Sequence, residues 1–482
     1  MIVCVCFNSF LGKLNCFEIH LSLVCNVMAD SGVIENPTRD KTLFIKTYGC
    51  QMNVYDSDKM AKLLEPLGFI LCNSASNADL IILNTCHIRE KATEKVFSEL
   101  GRLRKLKMEG FKNGRNVLLA VAGCVAQAEG SEIITRAPYV DLVFGPQTYH
   151  RLPNMVMEAT NSRQESEING AGIIDTDFPV ETKFDHLLTD TKSSTSAFLS
   201  IQEGCDKFCS FCVVPYTRGT EASRPVEQIL DEGINLIKAG AKELVLLGQN
   251  VNAYHGLSKA GKEWSLSRLI RELAEIDGLA RIRYTTSHPK DMDHELIMAH
   301  GEVPQLMPYL HLPIQTGSDR MLKAMNRKHN VAFYVKIIEK LRAARPDIAL
   351  SSDFIVGHPG ETDNDFADTI RLIMEIGYSQ AYSFKYSPRP GTPASNLEQL
   401  SDAAKSDRLQ TLQQLLNEQQ FSFNMQCINT SQKVLVERRR DRDGRLTGRT
   451  PFMQNVSFDG PIRLLGEVID INVEQASEKS LY

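Results

Sequence analysis

Two stretches of this chain alternate short apolar runs with segments of helical spacing, and that alternation leaves few folds open. In the first stretch Thr42–Thr47, Asp79–Asn84, Asn116–Ala122 and Val140–Phe144 read as strands. Asp56–Leu67 and Ala92–Leu106 between them carry helical spacing, and Ile133 and Ile134 sit in a further helix. Strands alternating with helices predict a parallel sheet covered on both faces. The second stretch predicts strands at Ala197–Gln202, Glu243–Leu247, Arg281–Thr286, Tyr309–Leu312, Ala349–Val356 and Gln380–Tyr386, with helices between them. Six such β/α units suffice for an open partial barrel and fall short of a closed eight-fold one. The fold class is therefore α/β.

At 482 residues the chain has room for roughly three domains of about 150 residues each. Its formal charge of -5 excludes a uniformly basic nucleic-acid coat but leaves room for a local basic patch. Twelve Cys are too sparse for a disulfide scaffold in a chain of this length and point instead to metal or redox chemistry. No uncharged apolar run of about 20 residues occurs, so no membrane-spanning helix is expected. Residues 1–40 read as an extension outside the folded part. The first 27 hold Cys4, Cys6, Cys16 and Cys25 but lack the basic start and compact apolar run of a secretory signal. They read as a gene-start artefact with translation beginning at Met28, and a metal site built from their four Cys is the alternative.

Three cysteines each follow a predicted strand: Cys50 after Tyr48-Gly49, Cys86 after Thr85, and Cys124 after Gly123. In a parallel sheet all strand C-termini share one edge, where ligands of open α/β sheets bind. The three thiols should therefore converge, with Gly49 and Gly123 supplying tight turns. Three thiolates at one edge make a soft-metal site with an open fourth position. Cys is also a common buried residue, which accounts for Cys72 and Cys427 and which the strand-end pattern alone leaves open.

The sharpest motif is Cys205-Asp-Lys-Phe-Cys209-Ser-Phe-Cys212. Three thiolates on one loop can hold three irons of a 4Fe–4S cube and leave the fourth iron without a protein ligand. A structural zinc site would want a second C-x2-C pair, and none follows. The motif resembles the radical S-adenosylmethionine (SAM) signature, which includes an aromatic before the last Cys, here Phe211. Radical SAM domains share the six-unit architecture. The resemblance implies that Cys205, Cys209 and Cys212 carry the catalytic cluster, whose open iron is chelated by SAM. It also implies that Gln315 and Ser318 make polar contacts in the SAM pocket, with Ile355 and Gly357 around the adenine. These residues lie at or after the C-terminal ends of predicted strands, as does Gly248-Gln249-Asn250, where a barrel builds its site. A plain turn requirement is the alternative for each glycine. Arg218 and Arg224 could meet the SAM carboxylate or RNA phosphate, or could form surface ion pairs with Glu221 or Glu227. His288 and His311, near strand ends, read as satisfied polar core residues rather than ligands.

A three-Cys α/β domain ahead of such a barrel resembles the radical SAM methylthiotransferase family. Within it, Tyr48-Gly49-Cys50-Gln51-Met52-Asn53, Pro215-Tyr216-Thr217-Arg218-Gly219, Ser223-Arg224-Pro225 and Ser387-Pro388-Arg389-Pro390-Gly391-Thr392-Pro393-Ala394 resemble the tRNA-2-methylthio-N6-dimethylallyladenosine synthase branch (MiaB). The resemblance implies an auxiliary 4Fe–4S cluster on Cys50, Cys86 and Cys124, beside the one on the central loop. Two SAM would be used per turnover, one to methylate a sulfur of the auxiliary cluster and one to supply a radical. The implied substrate is tRNA carrying N6-isopentenyladenosine at position 37, and the implied product carries a methylthio group at C2. The implied partners are a reductase or flavodoxin-type electron donor and a sulfur donor system, in the cytoplasm and away from membranes. Another modified adenosine, a ribosomal protein, or a non-catalytic RNA-binding iron–sulfur sensor are the alternatives.

Domain limits follow: 41–150 for the auxiliary-cluster domain, a Ser-, Thr- and acid-rich linker over 151–196 with one short strand at Gly172–Ile174, and 197–425 for the barrel. The barrel domain includes a long connector helix at Ala403–Asn424. Residues 426–482 predict a small antiparallel β-barrel with turns at Asp443-Gly444 and Asp459-Gly460. Six arginines cluster in one of its hairpins (Arg438, Arg439, Arg440, Arg442, Arg445, Arg449), a composition suited to RNA. The acids Glu437, Asp441 and Asp443 could equally make it a solvated, neutral hairpin. The segment resembles a TRAM domain, and its last strand is short enough to question closure.

Overall fold

The computed structural model describes residues 40–86, 92–162, 169–179, 183–186 and 194–482. The readings of the first 27 residues and of Met28, and part of the expected linker, lie outside the described residues.

The first sheet has six strands: β1 (Lys41–Tyr48), β2 (Phe69–Leu71), β3 (Leu80–Thr85), β4 (Leu118–Gly123), β5 (Leu142–Phe144) and β6 (Ile173–Asp175), in the order β2-β1-β3-β4-β5-β6. From β1 to β6 every pairing is parallel. Every residue of β3 and β4 is buried, as expected for strands covered on both faces. Alternate residues serve opposite layers. Leu80, Ile82, Leu118 and Ala120 pack with Met60 and Leu64 of helix α1 (Gln51–Leu64). Ile81, Leu83, Leu119 and Val121 pack with Val96, Leu100 and Leu103 of helix α2 (Ala92–Lys112).

The expected linker is a correction. Residues Leu152–Asn161 form a helix whose Leu152, Met155, Val156 and Ala159 enter the same core as α1, and β6 completes the sheet. Pro153 lies in the first turn, where it starts a helix rather than breaking one.

Six parallel strands follow in two triplets. Ser196–Ser200, Glu243–Leu247 and Arg281–Tyr284 form one, and Tyr309–His311, Ala349–Val356 and Gln380–Lys385 the other. A parallel bridge between Ile282 and Leu306 joins them. Among the described residues the first and last strands do not pair, so the barrel is open. The helix Asp402–Met425 is more than a connector, because its Leu412 and Leu416 enter the barrel core.

The C-terminal sheet pairs Ser431–Arg439, Leu446–Arg449, Asn455–Phe458 and Val468–Asn472 in antiparallel fashion around Val434, Val436, Leu446 and Val456. Ser480–Leu481 adds a parallel fifth strand beside Asn455–Val456, and Tyr482 exchanges hydrogen bonds with Gln475. Ser480–Leu481 thus forms one edge of the five-stranded sheet, with Val468–Asn472 at the other. Two buried arginines dock it on the barrel: Arg281 donates to the carbonyls of Lys433 and Arg449, and Arg283 to those of Thr450 and Pro451.

The first sheet docks on the barrel through α1. Met52 and Tyr55 pack against Val245, Leu247 and Phe198. One turn along, Asp56 pairs with Arg218 at 2.6 Å and Lys183 at 3.4 Å, while Lys59 pairs with Glu232 at 2.6 Å. Glu203 takes Arg218 and Lys183 from the other side, and Arg224 shares Glu232. All seven side chains are buried. Asp56→Ala would leave two buried cations sharing one carboxylate, a loss of about 3–5 kcal/mol. The expected result is a thermal midpoint several degrees below the parent protein, and an unchanged midpoint would remove the network from the docking argument.

Candidate functional site

The convergence expected of the first cysteine trio has a simple cause. Strands β1, β3 and β4 are neighbours, and their register aligns Tyr48 with Thr85 and Thr85 with Gly123. Cys50, Cys86 and Cys124 follow those aligned residues within two positions. Gly49 has φ +140, and a Cβ there would stand 2.3 Å from that of Cys86. At Gly123, φ +87, a Cβ would stand 2.4 Å from the Thr85 carbonyl oxygen. Both glycines thus let the strand ends close on one another.

A buried asparagine pair supports this edge. The Cys50 thiol donates to Asn53 Oδ1 at 3.2 Å, Asn53 Nδ2 donates to Asn84 Oδ1, and Asn84 Nδ2 donates to Ser57 Oγ. Sequence reasoning assigned neither residue a role. The available signal was a polar side chain on an otherwise apolar strand, two residues before a strand-end Cys.

The central loop is held as firmly. Gln202 Oε1 accepts the N–H groups of Gln249 and Asn250, Gln202 Nε2 donates to the Gly204 carbonyl, and Gly204 N–H donates to Gln249 Oε1. Asn326 Nδ2 donates to the carbonyl of Phe208, whose φ is +48. Arg327 Nη1 donates to Cys209 Sγ at 3.4 Å and Nη2 to the Pro313 carbonyl at 2.5 Å. Gln202 and Arg327 also escaped the sequence reading, because what identifies them is contact with residues distant in the chain.

Cys50, Cys86 and Cys124 line the same cavity as Cys205, Cys209 and Cys212, with a volume of about 230 Å3. All six are free thiols. Phe211 and Gln315 line the cavity, as do Arg218, Arg327 and His288. Ser318, Ile355 and Gly357 are not in its lining. The Ser318 hydroxyl caps the helix Asp319–Ala324 and donates to Asp365 at 2.6 Å. Ile355 lies within the fifth barrel strand, and Gly357 faces Lys405, whose Cγ would be 2.4 Å from a Cβ at that position. Arg218 and Arg224 form neither expected surface pair: both are buried, on Asp56 and Glu203 and on Glu232. His311 bonds Ser351 at 2.9 Å, whereas His288 Nε2 is buried without a partner among the described residues.

The thiols are not equivalent. The hydrogen bond from Cys86 pulls Cys50 down to about 6, with help from the Arg218 charge. Burial pushes Cys205 up to about 11, Cys212 up to about 12, and Cys124 upward as well. Among the described residues no three Cys, His, Asp or Glu side chains close on a single-ion position. Two trios of soft donors, each one short of four, fit two 4Fe–4S clusters with one open iron apiece.

Three family models match the chain. Residues 42–145 match "Uncharacterized protein family UPF0004", residues 199–373 the "Radical SAM superfamily" and residues 426–482 the "TRAM domain". That order of domains is decisive. The chain belongs to the radical SAM methylthiotransferase family. Its domains imply SAM and 4Fe–4S clusters as cofactors. Among solved structures, the radical SAM methyltransferase TsrM from Kitasatospora setae, with cobalamin and a [4Fe-4S] cluster bound, is similar at a TM-score of 0.52 and 14% identity. The match covers 74% of this chain and 77% of TsrM. The cobalamin-dependent SAM radical enzyme OxsB matches at 0.50 and 13% identity, covering 78% of this methylthiotransferase chain and 56% of OxsB. At such identity the likeness is one of fold. No helix among the described residues is long and apolar enough to cross a membrane.

Gly49→Ala should displace Cys86 and lower iron by about four per chain after anaerobic reconstitution, with reductive SAM cleavage retained. Full iron content in that variant would show that the close approach of these strand ends is dispensable.

Proposed function

We propose that this chain is a tRNA methylthiotransferase acting at C2 of N6-isopentenyladenosine at position 37, to give the 2-methylthio nucleoside. The observation that carries this reading is the single cavity shared by both cysteine trios. A C2–H bond is aromatic and unactivated, so acid–base catalysis alone cannot open it. When bound, the clusters and two SAM per turnover supply the one-electron chemistry and the methylated sulfur that such a bond requires.

The chain's own residues hold and orient. Cys205, Cys209 and Cys212 ligate the radical SAM cluster, and Cys50, Cys86 and Cys124 the auxiliary one. Arg327 compensates thiolate charge at Cys209. Met52, Phe211, Val213 and Leu247 give the cavity an apolar wall that excludes water. Arg218 is a positioning residue between the trios rather than a ligand of SAM or RNA. Gln315 and Phe211 stay assigned to the SAM side of the cavity.

The C-terminal module brings the RNA. Arg440, Arg445 and Arg449 pair with Asp443, Asp459 and Glu437, which partly neutralises the arginine hairpin. Arg438 and Arg442 are exposed and make no ion pair among the described residues, so they are the phosphate contacts we assign. A reductase or flavodoxin-type donor supplies electrons and a sulfur donor system restores the consumed sulfur, in the cytoplasm.

Nucleoside mass spectrometry of isopentenylated tRNA, after anaerobic incubation with reconstituted protein, SAM and dithionite, tests the reading. The expected product is heavier by one methylthio group in place of hydrogen. Formation of 5′-deoxyadenosine without a new nucleoside would move the substrate to another RNA or to a ribosomal protein, and loss of both products would favour a sensor. Alanine at Cys205, Cys209 or Cys212 should abolish SAM cleavage, whereas alanine at Cys50, Cys86 or Cys124 should spare it and stop sulfur insertion. Arg438→Ala with Arg442→Ala should weaken tRNA binding several-fold and lower its logarithmic salt slope by about 1 for each phosphate that no longer meets an arginine. An unchanged slope would put the RNA elsewhere.

A further inference from the structure

The barrel wall of the cavity carries buried polar atoms that the loop contacts leave unpaired. Asn250 Oδ1, Ser287 Oγ, His288 Nε2 and Arg327 Nε have no hydrogen-bond partner among the described residues. All four side chains are more than nine-tenths buried, and all four residues line the cavity that holds the cysteines. Buried polar groups are nearly always paired, so a cluster of unpaired ones in a cavity wall marks where a ligand supplies the partner.

His288 is the member whose proton the geometry locates. Its Nδ1 accepts the backbone N–H of Lys290 at 3.1 Å. A neutral imidazole that accepts at Nδ1 carries its proton on Nε2, so the unpaired atom is a donor. The ring is kept neutral, first by burial and then by the charges of Arg327, Lys207 and Lys290 around it. Its backbone is pinned, because His288 N–H donates to Asn252 Oδ1 and Asn252 Nδ2 donates to the His288 carbonyl, each at 2.8 Å.

This donor calls for an acceptor of matching character. A carboxylate is better met by the permanent charge of Arg327, and seated on the imidazole it would draw a second proton and break the bond from Lys290. A neutral ring nitrogen asks for neither. In the substrate read above, the reacting C2 is flanked by two such nitrogens, N1 and N3. Resting on that reading, we propose that His288 donates Nε2–H to the purine nitrogen beside C2, and so sets which edge of the base enters the cavity. His288 is then a substrate contact and a determinant of specificity for purines.

The test is anaerobic binding of an anticodon stem-loop RNA to the reconstituted full chain, followed by fluorescence anisotropy. The RNA carries N6-isopentenyladenosine, or the same base with N1 or N3 replaced by C–H. His288→Phe should weaken binding of the parent RNA about tenfold, and His288→Gln, which keeps an N–H donor, should recover most of it. One of the two substituted RNAs should bind the unaltered chain about tenfold more weakly, and His288→Phe should not distinguish it from the parent RNA. SAM affinity, measured by equilibrium dialysis, should be unchanged. Equal binding of all three RNAs to the unaltered chain would overturn the assignment without relying on the folding of any variant. A loss of SAM affinity in His288→Phe with RNA binding intact would also overturn it and put the acceptor on SAM. If the unaltered chain does not prefer the isopentenylated RNA over its unmodified counterpart, the substrate reading fails first and this assignment falls with it.

Discussion

Helix α1 carries the two buried charges on which the rest of the molecule depends. Asp56 and Lys59 lie on one face of the helix, and their partners Arg218, Lys183 and Glu232 come from outside the first sheet. Buried ion pairs offset their desolvation only when the geometry is met, so they penalise every other docking of the sheet on the barrel. The same elements carry the ligands. Cys50 immediately precedes α1, Glu203 lies two residues before Cys205, and Arg218 ends the short helix Val214–Arg218 that follows Cys212. Locking α1 therefore also sets the separation of the two cysteine trios.

That lock has an electrostatic consequence. Among the described residues Lys59, Lys183, Arg218 and Arg224 pair with Asp56, Glu203 and Glu232. Arg218 also lines the cavity, and its charge helps to lower the pKa of Cys50. Arg327, in the same cavity lining, donates a direct hydrogen bond to Cys209 Sγ. The glycines and asparagines at the strand ends then supply closeness rather than charge.

Much of this was legible in advance where the signal was local. Apolar runs of four to six residues located most of the strands, and the position of Cys50, Cys86 and Cys124 after three of them placed the thiols at one edge. The differences from the sequence reading have separate causes. Arg218 was assigned to ligand or surface because its partner Asp56 lies 162 residues away. Ser318, implied by resemblance to contact SAM, caps the helix Asp319–Ala324 and lies outside the cavity lining. The helix Leu152–Asn161 was absorbed into a linker because a ten-residue amphipathic stretch beside polar sequence gives a weak period.

The chain's sequence by itself determined the α/β class, the six-strand open barrel, the small β module at its end and both trios of cysteines. Each of these rests on spacing within a few tens of residues, where backbone periodicity and turn chemistry act. Tertiary structure alone decided that the trios share one cavity, that two arginines read as possible ligands form buried ion pairs, and that His288 Nε2 has no partner among the described residues. These depend on contacts between segments far apart in the chain, whose partners are chosen by packing and by the cost of burying charge, neither of which leaves a local pattern.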